Sequence, residues 1–189
     1  MVEKGVDFKV ICCTDTSGCC KPVQDDGSQR REIEIDFLYL DLSVCTRCQG
    51  ADSSLDEAIA EVSKILEAMD IDVVVNKINV TSEKQAEVLQ FESSPTIRVN
   101  GRDIQLEVRE SLCESCGDLC GDEVDCRVWV YHGKEYTAPP KAMIIEAMLR
   151  QVYGSPHDKQ EINKKGYRLP DNPRKFFASM RKQGAEQSG

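Results

Sequence analysis

The sequence predicts an α/β protein: a mixed sheet flanked by helices, carrying a cysteine-rich insertion and flexible ends. Two observations lead there. The stretch Ile33–Leu42 places Ile33, Ile35, Phe37 and Tyr39 on one face and Leu38, Leu40 and Leu42 on the other. An apolar run on both faces is how a strand reads when its sheet is covered on both sides. Two further β-rich runs, 71–80 and 96–99, then alternate with helical patterns, and alternation of that kind is the signature of an α/β layer structure.

The elements follow in order. After the first strand come Cys45-Thr46-Arg47-Cys48 and a polar loop. Ser54-Leu55-Asp56-Glu57 has the form of a capping box, so the helix is expected to start at Ser54. Leu55, Ile59, Val62, Ile65, Leu66 and Met69 recur at helical spacing and form its inward face. Val73, Val74 and Val75 mark a second strand over 71–80. Thr81-Ser82-Glu83 opens a shorter helix, and Ser93-Ser94-Pro95 ends it. Residues 96–99 form a third strand, Asn100-Gly101 a hairpin turn, and 103–108 the returning strand. Residues 127–131 and 136–137 read as another hairpin, and 139–152 as a last helix with Met143, Ile144, Ala147, Met148 and Val152 inward.

Composition narrows the function classes. Residues 154–189 hold eight Lys/Arg and four Asp/Glu, a balance of +4, which leaves −13 for the rest of the −9 total. An acidic body argues against nucleic acid as the main partner. No apolar run approaches the ~18 residues of a membrane helix. The N-terminal stretch lacks a signal-peptide core, so the chain reads as cytoplasmic. The ten cysteines fall into three groups: Cys12, Cys13, Cys19 and Cys20; Cys45 and Cys48; and Cys113, Cys116, Cys120 and Cys126. In a reducing compartment such clusters point to metal binding or thiol chemistry before structural disulfides.

A strand that ends in Cys-x-x-Cys and leads to a helix is the layout of a dithiol redox site. The two-residue spacing lets one disulfide open and close with little backbone movement. Cys45 is the expected nucleophile, with Arg47 beside it to favour the thiolate, and Cys48 the resolving thiol. Half of a zinc site is the alternative reading of the same pair. A helix that starts only at Ser54 would leave both thiols on a loop, beyond most of the help of its dipole.

The order strand, Cys-x-x-Cys, helix, strand, helix, Ser-Pro-Thr, strand, Asn-Gly turn, strand resembles the thioredoxin-like superfamily over residues 32–108. The stretch SPTIRVNG is similar to a glutaredoxin. The resemblance implies catalytic roles for Cys45 and Cys48, a cis peptide before Pro95, and a Pro95 loop packed against the dithiol. Thr46-Arg47 stands where thioredoxins carry Gly-Pro. More narrowly, the chain resembles an uncharacterised bacterial and archaeal family of thioredoxin-like proteins, the domain of unknown function DUF2703. That likeness implies no activity.

Residues 109–126 form an insertion within a domain spanning 32–153. Cys113, Cys116, Cys120 and Cys126 are close enough to suit a tetrahedral all-cysteine zinc site, with Gly117 and Gly121 permitting tight turns. Two local disulfides, or a second thiol relay, are the rivals. The acidic residues Glu114, Asp118, Asp122, Glu123 and Asp125 favour a bound cation over a free nucleophile. Residues 1–31 read as a flexible arm whose CCTDTSGCC segment either wraps a soft ion or carries reducible thiols, in either case within reach of Cys45 and Cys48. Residues 154–189 read as a basic flexible tail with a short helix at 173–182.

The leading expectation is a thiol–disulfide oxidoreductase acting on protein or small-molecule disulfides. The second is a non-enzymatic binder of a soft metal or metalloid ion. The third is an interaction module with a vestigial dithiol. None of them calls for an organic cofactor.

Overall fold

The computed structural model describes residues 31–154 and 166–186. The N-terminal CCTDTSGCC segment lies outside these residues. The fold is α/β. Its four-stranded sheet contains β1 (Arg31–Tyr39), β2 (Ile71–Asn79), β3 (Thr96–Val99) and β4 (Arg102–Asp103), in the order β2-β1-β3-β4. It is mixed: β1 pairs parallel with β2 and antiparallel with β3, with Ile35 opposite Val75 and Val99.

One face of the sheet is fully covered. Ile33, Ile35, Phe37, Ile97 and Val99 pack against α1 (Thr46–Glu67) and α4 (Lys141–Tyr153). These helices contribute Ala51, Leu55, Ala58, Val62 and Leu66, and Met143, Ile144 and Met148. Lys141 pairs with Glu61 across them. The other face differs from the fully apolar strand read from sequence. Its N-terminal half is polar, with the Asn76 amide donating to Glu34 and Asp36, each at 2.9 Å. Leu38, near the C-terminal end of β1, and Leu40 just beyond it are buried in a second core, with Leu42 packed against it. That second core contains the described cysteines.

α1 begins eight residues before the capping box. Cys45 is its N-cap and its sulfur accepts the Cys48 backbone N–H at 3.4 Å. Tertiary packing overrides the weak helix propensity of residues 46–54. Cys48 and Ala51 are fully buried. Gly50 lies so close to Ala138 that an added Cβ would sit 2.9 Å from it, and Asp52 pairs with Lys77 at 2.7 Å. The expected loop ahead of the helix is therefore its first two turns.

α2 (Glu83–Val88) is capped by Ser82, whose hydroxyl accepts the Gln85 N–H at 3.3 Å. The Ser94–Pro95 peptide is cis. The strand expected over 103–108 ends at Asp103. Beyond it, the Gln105 side chain binds β6 (Asp125–Tyr131) like a missing strand, accepting from the Val130 N–H at 2.6 Å and donating to the Val128 carbonyl at 3.0 Å.

The insertion is ordered structure. β5 (Arg109–Leu112), β6 and β7 (Lys134–Tyr136) form a second sheet in that order, and α3 (Glu114–Cys120) lies between β5 and β6. Gly117 is inside α3. Gly121 ends the helix at φ +70°, a left-handed cap that favours glycine. The two sheets meet where the Arg127 N–H donates to the Ser94 carbonyl at 2.7 Å.

Part of the tail expected to be flexible is helical. Residues Asp171–Glu186 form α5, and Leu169, Phe176 and Phe177 are buried over the cysteine-containing core. Asn172 bonds both backbone groups of Asp125, at 2.9 and 2.7 Å. Lys175 pairs with Asp122 at 3.0 Å, and Arg181 with Glu83 at 2.7 Å. Two adjacent phenylalanines on a charged helix supply the apolar stripe that holds it down. No helix among the described residues is long and apolar enough to cross a membrane.

Candidate metal centre

Three elements bring cysteines to one point. Cys45 caps α1, Cys113 and Cys116 span the start of α3, and Cys126 lies on β6. The sulfurs of Cys45, Cys113, Cys116 and Cys126 all lie within 4.8 Å of one another. Cys116 and Cys126 are the pair of sulfurs 3.4 Å apart. Zn–S bonds of about 2.3 Å in a tetrahedron put sulfurs about 3.8 Å apart, so a thiophilic ion fits with small adjustments. All four residues are buried, from 0 to 3 % exposed. The group can hold a metal ion.

This grouping differs from the quartet expected within the insertion. Cys120 stands outside it. Its sulfur faces the Asp122 carbonyl at 3.5 Å and the Gly117 carbonyl at 3.9 Å, on the side that meets α5. The cause is helical rise: Cys120 is four residues beyond Cys116, about 6 Å farther along the axis. Cys45 takes the fourth position, so the dithiol and the insertion share one site and are not independent.

Cys48 lies next to the group. Its backbone N–H donates to the Cys45 sulfur at 3.4 Å, and its thiol contacts the Ser94 hydroxyl at 3.3 Å. The loop before Pro95 therefore touches the dithiol through Ser94. No disulfide joins the described cysteines.

The protons are unevenly shared. Hydrogen bonds from Cys113, Cys116 and Cys126, then from Cys48, hold Cys45 far below the usual thiol range, against the opposing effect of burial. Bonds from Cys116 and Cys126 bring Cys113 down to about 6. The remaining thiols are pushed the other way. Cys48 is raised by its bond to Cys45 and by burial, Cys116 by its bond to Cys113, and Cys126 by its bonds to Cys113 and Cys116. Burial raises Cys120.

The residues between Cys45 and Cys48 hold the insertion in place. Arg47 donates to the carbonyls of Leu112 at 2.7 Å, Cys126 at 3.0 Å and Ser111 at 3.3 Å. The Thr46 and Ser115 hydroxyls lie 3.3 Å apart. Sequence marked Arg47 as a cation that favours the thiolate. The structure gives its guanidinium to backbone carbonyls instead. Its partners, and the placement of Ser94 and Ser115, carry no local sequence signal.

Searches of curated proteins and of solved structures return no match. The family model described as Domain of unknown function (DUF2703) matches residues 33–148, a span that includes Cys48 and all four grouped cysteines but not α5. With more than half of its length matched, the chain belongs to that family.

Proposed function

We propose that this protein binds a thiophilic metal or metalloid ion, zinc foremost, through the thiolates of Cys45, Cys113, Cys116 and Cys126. The observation that carries the reading is the convergence of four buried sulfurs within 4.8 Å. An all-sulfur donor set selects soft and borderline ions, and four such donors suit the tetrahedral coordination of zinc. The low thiol ranges of Cys45 and Cys113 support it, because bound cysteines are thiolates. A cytoplasmic setting would keep these thiols reduced.

The test is titration of reduced, anaerobic protein with Co(II), followed by displacement with Zn(II). One ion per chain and the absorption of a tetrahedral thiolate complex are expected. Cys126→Ala should abolish that spectrum and Cys120→Ala should retain it. Reduced protein with no affinity for Co(II), Zn(II) or Cd(II) would overturn the reading.

Thiol–disulfide exchange at Cys45 and Cys48, with protein or small-molecule disulfides as partners, is the second reading. Cys45 at a helix N-terminus and the Ser94–Cys48 contact favour it. On this reading Cys45 attacks and Cys48 resolves. Loss of reductase activity toward a generic disulfide in Cys45→Ser is its test.

A further inference from the structure

Cys45 faces two competing partners. On one side lie the sulfurs of Cys113, Cys116 and Cys126. On the other is Cys48, whose backbone N–H donates to the Cys45 sulfur at 3.4 Å from the first turn of α1. One sulfur cannot serve as a thiolate ligand and as half of a disulfide. We propose that Cys45 is the switch of an oxidant-triggered ion release, an inference that rests on the four-thiolate reading of the site.

The reaction balances with a low-molecular-weight disulfide as oxidant. The Cys45 thiolate attacks one sulfur of the oxidant, forming a mixed disulfide and expelling one thiolate. Cys48 loses its proton and attacks the Cys45 sulfur, expelling the second thiolate, and that proton ends on one of the two products. Cys45 and Cys48 are oxidised by two electrons, and the oxidant is reduced to one thiol and one thiolate. The ion is left with Cys113, Cys116 and Cys126 and one open position, where water or an acceptor ligand can enter.

Three observations set the order of events. Cys48 is outside the four-sulfur group, so it is free to serve as the resolving thiol while the ion is bound. Cys45 and Cys48 are both fully buried, so exchange waits on local opening and favours a small oxidant. Arg47 and Thr46, which tie the insertion to α1, lie between the two cysteines. Drawing Cys45 toward Cys48 therefore acts at the seam where the insertion is attached.

The test uses the full chain, reduced and loaded with Zn(II), then exposed to oxidised glutathione. Released zinc is followed with a chromophoric chelator and disulfides are mapped by mass spectrometry. Zinc release is expected to track a Cys45–Cys48 disulfide without retained glutathione, and a reductant should restore binding. Cys48→Ser should load zinc normally and release it about tenfold more slowly or less completely, with glutathione trapped on Cys45 where reaction occurs. Cys48→Ala repeats the comparison if the serine variant does not fold. Equal release from both variants and the unsubstituted protein, or a disulfide mapped within Cys113, Cys116 and Cys126, would overturn the switch and leave the ion site standing. Absence of zinc binding in the reduced, unsubstituted protein would overturn both.

Discussion

Arg47 donates to the backbone carbonyl of Cys126 at 3.0 Å, across 79 residues of sequence. The contact places Cys126 of β6 against the first turn of α1, where Cys45 sits. A cation inside the Cys-x-x-Cys motif thus acts on geometry, by fixing the distance between two grouped cysteines that the chain supplies separately.

Arg47→Met keeps the alkyl stem and deletes the hydrogen bonds to Ser111, Leu112 and Cys126. Partial exposure discounts their value to about 1–2 kcal/mol, or roughly tenfold in zinc affinity. Competition against a chelator of known affinity checks this. Unchanged affinity would show that Arg47 does not position the site.

Ion binding should depend on pH with a definite sign. Cys45 and Cys113 are held low, while Cys116 and Cys126 are pushed up. Zinc must then displace about two protons, so affinity rises with pH. Below about 6 Cys113 is protonated as well, and the dependence steepens toward three protons. Calorimetry in buffers of different ionisation enthalpy counts the protons. Four released at neutral pH would contradict this distribution.

Arg127 is fully buried and pairs with Asp103 at 2.7 Å, with its guanidinium 5.2 Å from the Trp129 ring centre. Its Nε and Nη2 have no hydrogen-bond partner. Asp103→Ala strands a buried cation and should cost about 3–5 kcal/mol. Arg127→Met removes the charge along with its desolvation, so its loss should be smaller. Urea unfolding of the two variants would refute the argument if the order were reversed.

The sheet and its helices were legible because their signals are local. The apolar alternation of Ile33, Ile35 and Phe37 and the helical recurrence of Leu55, Val62 and Leu66 match the observed core. The start of α1 was not legible, since Gly50 and Asp52 belong in a helix only once Ala138 and Lys77 are in place. The cysteines showed the same division. Cys113, Cys116 and Cys126 could be grouped by spacing. The choice of Cys45 over Cys120 depends on helical rise in α3 and on the docking of the insertion, neither of which short-range spacing encodes. The helix of α5 was legible over 173–182, but its docking was not: the Phe176-Phe177 pair is too brief a signal without the core it covers.

The separation of Cys45 from the other three grouped cysteines has a consequence for the unfolded chain. An ion that joins Cys45 to Cys126 closes a loop of roughly 80 residues, and in the chain-entropy model a cross-link of that span removes about 4–5 kcal/mol of disorder from the denatured state at 25 °C. The local trio Cys113, Cys116 and Cys126 closes a loop of only about 14 residues, for which the same relation gives about 3 kcal/mol. A single sulfur, Cys45, therefore decides whether an ion held here would restrain the insertion alone or tether it across most of the domain.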